Sequence, residues 1–491
     1  MMLEQALKHH FQLTSFRPGQ KEVISSVLEG NHTIAMLPTG TGKSLCYQLA
    51  GYMLSGHVII ISPLLSLMQD QAEQMVMNGE KRVIAFNSFL TREEKAEAIT
   101  NLEKYKFIFL SPEMLRLEGI TKRLMELDIS LFVIDEAHCI SQWGYDFRPD
   151  YLKLGEVREQ LGSPLTLVLT ATATPEAKED IIRSLHLSEW KEFIYSVDRP
   201  NISLTVEKLH SQKDKIERLV HLVKSLQGPG IIYFSSKKLS EQMAHHLKEK
   251  GIGRVMAYHG GMEQESRILI QQQFLNGQLD LICATSAFGM GINKENIRYV
   301  IHFHMPLQLE SYLQEIGRAG RDGKKSIAIL LYCPGDEQLA FQIAEGELPD
   351  QAQLDRIHSF FKEYPLSDKL SEYENQIRSF AGLTETQWRM IEGYIEEMGP
   401  DHFDELAVFV KNRSEIKKNK IFDMYKWIQS DQCRRSNILS YFKEVMNKVQ
   451  ADCCDCCGID ITQFFISENN EAFLHHSYDW KEQLKILLLN E

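Results

Sequence analysis

Four groups of residues in this chain have types and spacings that could do chemistry. The run Leu37-Pro-Thr-Gly-Thr-Gly-Lys-Ser44 lies between an apolar stretch (33–37) and a helix-forming one (45–53), the strand–loop–helix context a phosphate-binding loop requires. Backbone N–H groups of Gly40, Gly42 and Lys43, with Thr39 and Thr41 in the same loop, can close around phosphate oxygens at a helix N-terminus, where the dipole favours negative charge. Lys43 is placed to reach the β- and γ-phosphates of a nucleoside triphosphate such as ATP, and the Ser44 hydroxyl to sit on Mg2+. The strict form of this loop has a glycine where the chain has Leu37.

The second group is Leu131-Phe-Val-Ile-Asp-Glu-Ala-His138, an apolar strand ending in two acids. Asp135 at the strand tip can hold Mg2+, directly or through water, while Glu136 can polarise an attacking water. His138 either passes the state of the phosphate site to its neighbours or is a packed, capping residue. After it, Trp143, Tyr145, Phe147 and Tyr151 interleave with Arg148; such a loop presents rings for stacking on unpaired bases or packs them under the lobe. Thr170 and Thr172 follow another strand, as hydroxyls near a cleft or simple caps. The third group, Gln314-Glu-Ile-Gly-Arg-Ala-Gly-Arg-Asp-Gly323, sets Arg318 and Arg321 three apart, on one side of a helical turn. A planar guanidinium suits a γ-phosphate that gains charge in the transition state.

The fourth group is cysteine. Cys433 and the run Cys453-Cys-Asp-Cys-Cys457 have enough thiols for a tetrahedral Zn2+ site, expected to staple helices and not to catalyse. Five thiols for four positions leave the ligand set open at this point, since adjacent ligands are geometrically awkward.

These groups need elements to position them. Continuous apolar runs at 57–61, 82–86, 107–110, 131–134 and 165–169 alternate with helical patterns, and a second series follows Asp198-Arg-Pro-Asn201 at 230–234, 254–258, 279–283, 299–303 and 327–332. Such runs predict parallel sheets covered on both faces. The expected organisation is α/β: one parallel-sheet lobe over 1–200, a second over 201–344, a mainly helical module over 345–458 and a tail over 459–491 too short for a core of its own.

A length of 491 residues fits about three domains. Apolar content of 43% and charged content of 25% are those of a globular protein. No apolar run reaches membrane-spanning length and the N-terminus carries no signal-peptide pattern, so the expectation is a cytoplasmic protein with no membrane partner. A net charge of −13 argues against nucleic acid only as a whole-chain sum, because binding grooves are local. Basic residues gather at Lys237-Lys238, at Arg318, Arg321, Lys324 and Lys325, and from Lys411 to Lys420.

Taken in order, Phe16-Arg-Pro-Gly-Gln20, the loop 37–44, Ser62-Pro-Leu-Leu-Ser-Leu-Met-Gln-Asp-Gln71, Ser111-Pro-Glu113, 135–138, 169–174 and 314–323 resemble a superfamily 2 helicase. The aromatic loop, with Cys433-Arg-Arg, Tyr441-Phe442 and the clustered cysteines, narrows the resemblance to the RecQ family. That family's loop does not use the strict first glycine. The resemblance implies two RecA-like lobes and ATP-driven 3′→5′ unwinding of duplex or branched DNA in recombination and repair. It further implies movement on single-stranded DNA, single-strand-binding or recombination proteins as partners, and, in a bacterium, a place on the nucleoid. Trp143, Phe147 and Arg148 of the aromatic loop are the expected nucleic-acid contacts. The resemblance assigns adenine recognition to Arg17 and Gln20, whose amide can read donor and acceptor edges. Through the family's Cys-Asp-x-Cys ending, matched at Cys454 to Cys457, it implies zinc on Cys433, Cys453, Cys454 and Cys457, with Cys453 standing in where relatives carry a cysteine at the position of Ala451 and the pair Cys453/Cys456 as a rival. Two departures stand out. An aromatic common in the family three residues before Phe16 is Leu13 here, which predicts altered nucleotide affinity or base selectivity. Longer relatives carry winged-helix and further helical domains that the last ~34 residues cannot hold, which predicts weaker engagement of branched DNA.

Overall fold

The computed structural model describes residues 3–63, 65–87, 90–115, 117–142, 149–289, 294–363, 373–399, 402–446 and 450–466. The first lobe contains β1 (Thr33–Met36), β2 (His57–Ile61), β3 (Val83–Ala85), β4 (Phe107–Leu110), β5 (Ile129–Ile134), β6 (Thr166–Thr170) and β7 (Lys191–Ile194), in the sheet order β3-β4-β2-β5-β6-β1-β7. Every pairing is parallel. Side chains of successive strand residues point to opposite faces, so Val58 and Ile60 join the core on one face while Ile59 and Ile61 join the core on the other. Both faces being apolar is why these strands read as unbroken hydrophobic runs.

The second lobe repeats the design with β8 (Ile202–Lys208), β9 (Gly230–Tyr233), β10 (Val255–Tyr258), β11 (Leu281–Ala284), β12 (Tyr299–His302) and β13 (Ser326–Tyr332), in the order β10-β11-β9-β12-β13-β8. These strands are parallel throughout. Helices between strands start at side-chain caps: Thr91, Thr174, Ser211 and Ser236 each accept the amide three residues on. Such a cap is worth about 1 kcal/mol.

Beyond the second sheet the chain is helical. Helices Gln351–Glu363, Glu374–Ala381, Glu385–Met398 and the start of Phe403–Gln429 close around a separate core with Ile357, Ile377, Trp388 and Leu406. The far end of the last helix belongs elsewhere: Ile421, Met424, Trp427 and Ile428 enter the core of the second lobe with Ile438, Leu439, Cys453 and Cys454. The cysteine region is thus fused to the second lobe. Residues 459–466 also lie on that lobe, with Gln227 N donating to Phe464 O at 2.9 Å and Ile466 N to Ser225 O at 2.8 Å. No helix of the described residues is long and apolar enough to cross a membrane.

Candidate active site

Topology places the chemistry. Strands β5, β6 and β1 are neighbours in the first sheet, and in open parallel sheets ligands bind beyond the carboxyl ends of the strands. The loop 37–44 leaves the end of β1, Asp135 and Glu136 follow β5, and Thr170 ends β6. The loop turns through Gly40 (φ +85°) and Gly42 (φ +74°), left-handed conformations that cost a side chain about 1 kcal/mol or more and leave glycine unstrained. It delivers Lys43 to the start of helix Ser44–Met53.

Lys43 Nζ lies 3.3 Å from Glu136 Oε1. Glu136 itself holds a left-handed backbone, φ +49°, an uncommon conformation for a non-glycine residue that turns its carboxylate back over the loop. Burial and the neighbouring Glu136 push the Asp135 carboxyl up to about 7. For Glu136, burial acts upward too, but Lys43, His138 and Arg318 outweigh it and hold the carboxyl below its ordinary value. Burial pushes His138 down to about 4, so its ring is neutral near pH 7. Its Nε2 lies 2.8 Å from Gln314 Nε2, and its Nδ1 is 3.2 Å from Thr170 Oγ1 and 3.5 Å from Glu136 Oε2. An amide nitrogen can only donate, which makes Nε2 the acceptor and puts the ring proton on Nδ1. The same Gln314 amide donates to Thr172 Oγ1 at 3.2 Å. Glu136, His138, Thr172 and Gln314 therefore bridge the two lobes.

The second lobe closes the cleft with helix Leu309–Ile316 and the turn after it. A Cβ on Gly317 would fall 1.9 Å from Thr39 Oγ1, and one on Gly40 would fall 2.9 Å from Arg321 Cγ. Only glycine permits so close an approach. Arg318 is 5% exposed and, among the described residues, its buried Nε has no hydrogen-bond partner. Burial, with Arg318 and Arg199 close by, works against the charge of Arg321. A phosphate chain is the ligand that several guanidiniums and a lysine facing one cleft would suit.

Arg17 and Gln20 lean onto the loop. Gln20 Nε2 donates to Thr41 O at 2.7 Å and Gly42 O at 3.0 Å, while its Oε1 accepts from Arg17 N at 2.8 Å. Reading adenine through this amide requires those bonds to be exchanged. Arg17 Nη1 donates to Gly40 O at 2.5 Å and its Nη2 pairs with Glu295 of the second lobe at 3.2 Å. Leu13 is 46% exposed. Ser44 and Asp135 offer hard oxygen donors of the kind Mg2+ takes. Trp143, Phe147 and Arg148, with Tyr145, lie outside the described residues. Tyr151 is wholly buried in the first lobe's core, the packing alternative for that ring.

The thiols of Cys433, Cys453, Cys454 and Cys457 all lie within 4.8 Å of one another. Cys433 Sγ is 3.6 Å from Cys453 Sγ and 3.9 Å from Cys454 Sγ. Tetrahedral zinc with Zn–S bonds of about 2.3 Å sets its sulfurs roughly 3.8 Å apart, so the donor set fits that ion; Cys456 is outside this group of four. Arg434 organises the module, bonding Asp455 at 2.9 Å and the carbonyls of Trp427, Ile428 and Ser430 at 2.6, 3.2 and 2.8 Å. The basic run 411–420 spends much of its charge internally: Lys417 pairs with Glu347 at 2.6 Å, Lys418 with Glu345 at 3.2 Å and Lys420 with Glu310 at 3.2 Å.

Sequence reasoning did not single out Arg199, Asn201 or Arg435. Arg199 reaches four carbonyls of the loop and the arginine turn; Asn201 donates to Gly320 O and Lys324 O at 2.8 and 2.9 Å. The one available signal was a charged residue beside proline at the joint of two lobes.

Comparison with known proteins agrees with this geometry. Residues 17–181 match the DEAD/DEAH box helicase family, 214–323 the helicase conserved C-terminal domain and 386–458 the RecQ zinc-binding family. The chain is 47% identical over 470 residues to a probable ATP-dependent DNA helicase RecS of Bacillus subtilis, covering 94% of this chain and 93% of that protein. It is 41% identical over 332 residues to the ATP-dependent DNA helicase RecQ of Haemophilus influenzae, covering 67% of this chain and 53% of the relative. In fold it is similar to the Mycobacterium smegmatis helicase Lhr bound to ssDNA and AMP-PNP, with a TM-score of 0.57, 21% identity, and 78% of this chain and 55% of the other covered. The S. cerevisiae protein Dbp5 bound to RNA and ADP BeF3 superposes with a TM-score of 0.56 and 18% identity, covering 77% of this chain and 97% of that one. The two sheets are RecA-like lobes, the cysteine cluster is that of a zinc-binding module, and the chain belongs to the RecQ family of ATP-dependent DNA helicases.

Proposed function

We propose that the chain moves 3′→5′ along single-stranded DNA, driven by ATP hydrolysis, and separates duplex or branched DNA in recombination and repair. The carrying observation is that Lys43, Glu136 and His138 of the first lobe meet Gln314 and the buried Arg318 of the second in one cleft. The loop 39–44 grips the phosphates, Lys43 holds their terminal oxygens, and Glu136 orients the attacking water. Arg318 and Arg321 meet the charge that builds on the γ-phosphoryl group. Mg2+, held by Ser44 and Asp135, would neutralise charge on the β- and γ-oxygens. Because Gln314 binds His138 and Thr172 across the cleft, closing around ATP and opening after hydrolysis moves one lobe against the other. Trp143, Phe147 and Arg148 follow directly on the helix that begins at His138, which favours them as the strand contact coupled to turnover. Zinc on Cys433, Cys453, Cys454 and Cys457 staples the module to the second lobe. A cytoplasmic place, on the nucleoid in a bacterium, and single-strand-binding or recombination proteins as partners go with that role.

A strand-displacement assay tests the reading. With ATP, a 3′-tailed DNA duplex and a fork should be unwound and a 5′-tailed duplex left intact. Equal unwinding from a 5′ tail, or ATPase stimulation by RNA equal to that by DNA, would contradict it.

A further inference from the structure

The segment that joins two moving lobes is usually a solvated hinge; here it is tied down on both sides. Arg199, inside it, is partly buried, and burial with the nearby Arg17 works against its charge. What repays that cost is a set of carbonyls. Nη1 donates to Thr39 O at 2.7 Å and Gly317 O at 3.1 Å, and Nη2 to Ala319 O at 3.1 Å and Gly320 O at 2.7 Å. One guanidinium thus joins the phosphate loop of the first lobe to the backbone that carries Arg318 and Arg321 in the second.

The joint is held in turn by the cysteine module. Arg435, two residues past Cys433, is 4% exposed. It bonds Asp198 through Nη1, Arg199 O through Nη1 at 3.1 Å and Ile202 O through Nη2 at 2.5 Å. Glu444 accepts from Val197 N at 3.1 Å and from Ser196. Leu204 N donates to Cys453 O at 3.1 Å. A crevice lined by Thr39, Thr172, Asp198, Leu313, Arg435 and Ile438 marks where loop, joint, second lobe and module meet.

We propose that Arg199 is a positioning residue for ATP turnover, holding the arginine turn in register with the phosphate loop, and that Arg435 of the zinc module holds Arg199. The inference rests on the reading of this cleft as the ATP site. Its physical basis is that a 1 Å misplacement of a catalytic group costs about 100-fold in rate, whereas nucleotide binding to the loop itself survives. Lysine keeps the charge but has no planar fork to span four carbonyls.

The test uses the full chain with Arg199→Ala, Arg199→Lys, Arg435→Lys, the Arg199→Lys/Arg435→Lys double variant and Lys43→Ala. DNA-stimulated kcat and KM, fluorescent-ADP affinity and Tm are measured on each. Arg199→Lys should keep Tm near that of the parent and lose about 10- to 100-fold in kcat, with KM and ADP affinity within about threefold. Arg435→Lys should lose less, and the double variant no more than Arg199→Lys alone, as for residues acting through one network. Three results overturn the proposal: kcat of Arg199→Lys within about twofold of the parent, a kcat restored whenever Tm is restored, or losses at 199 and 435 that simply multiply. Should Arg199→Ala not fold, the lysine variants decide alone. Lys43→Ala turning over normally removes the cleft assignment beneath the proposal; Lys43→Ala inactive beside a fully active Arg199→Lys removes this proposal only.

Discussion

Arg318 in the cleft and Arg434 in the cysteine module are buried alike, at 5% and 3% exposure, and are partnered in opposite ways. Arg434 faces Asp455 with Nε and Nη2 and three main-chain carbonyls with Nη1. Arg318 has a buried Nε with no hydrogen-bond partner among the described residues, and its charge is felt at Glu136 across the cleft. A buried cation normally needs its donors met. Arg434 has them met from within and holds structure together; Arg318 stands beside Glu136 and Lys43 in the cleft, where an anionic ligand would suit it. The contrast separates Arg318 from Arg434, each of which stands in a short arginine-bearing motif.

Breaking the cleft side should be most costly to turnover. Lys43→Ala should lower DNA-stimulated ATP hydrolysis at least about 100-fold with the far-UV circular dichroism and Tm of the parent; a variant that hydrolyses ATP normally removes Lys43 from the site. On the module side the loss should appear in stability. Arg434→Ala leaves Asp455 and three carbonyls without their donor and should cost about 3 kcal/mol or more, read as a lower denaturation midpoint. A midpoint unchanged from the parent would show that its bonds are dispensable.

The cysteines sharpen the same contrast. Metal analysis of Cys453→Ser or Cys457→Ser should show the bound zinc lost, while Cys456→Ser keeps about one zinc per chain; zinc lost from Cys456→Ser instead moves the ligand set. At the lobe contact, Gly317 has φ −63°, which alanine can adopt, but an added Cβ would fall 1.9 Å from Thr39 Oγ1 and 2.9 Å from the Leu313 carbonyl oxygen. Gly317→Ala should lower kcat about 10-fold by holding the lobes apart, and unaltered kinetics would mean that this approach plays no part in turnover.

The smallest expected effect is one of pH. Asp70 Oδ2 accepts from Gln271 Nε2 across the lobes at 2.6 Å, and burial raises its carboxyl to about 6, above the ordinary value of 3.8. A raised acid favours the folded form below its unfolded value and loses that contribution as pH rises through its folded one. Stability should thus fall between about pH 4 and pH 6 relative to an Asp70→Asn variant, whose profile should be flatter there. Parallel profiles would remove Asp70 as the cause.

Much of the candidate site was legible because its residues cluster in short motifs, 37–44, 135–138 and 318–321, whose spacing keeps them together in the fold. The strands of both sheets were legible where both faces are buried. β7 was not, because Lys191–Ile194 is an edge strand with mostly exposed side chains; β8 was not, because buried Ser203 and Thr205 interrupt its apolar run. The basic run 411–420 reads in sequence as a concentration of positive charge, yet Lys417, Lys418 and Lys420 pair with acids far along the chain, Glu347, Glu345 and Glu310. Arg199 and Arg435 stand inside Asp198-Arg-Pro-Asn201 and Cys433-Arg-Arg, yet what they bind was not legible, for a related reason. Their partners are mainly backbone carbonyls, which carry no sequence signature.

The central claim is that ATP turnover needs both lobes at once, and Arg318→Ala measures it most directly. Steady-state hydrolysis with saturating single-stranded DNA, set beside fluorescent-ADP affinity, should show kcat down about 1,000-fold with nucleotide affinity nearly unchanged. A kcat within a few-fold of the parent would contradict the account, since the second lobe's guanidinium would then have no part in the reaction.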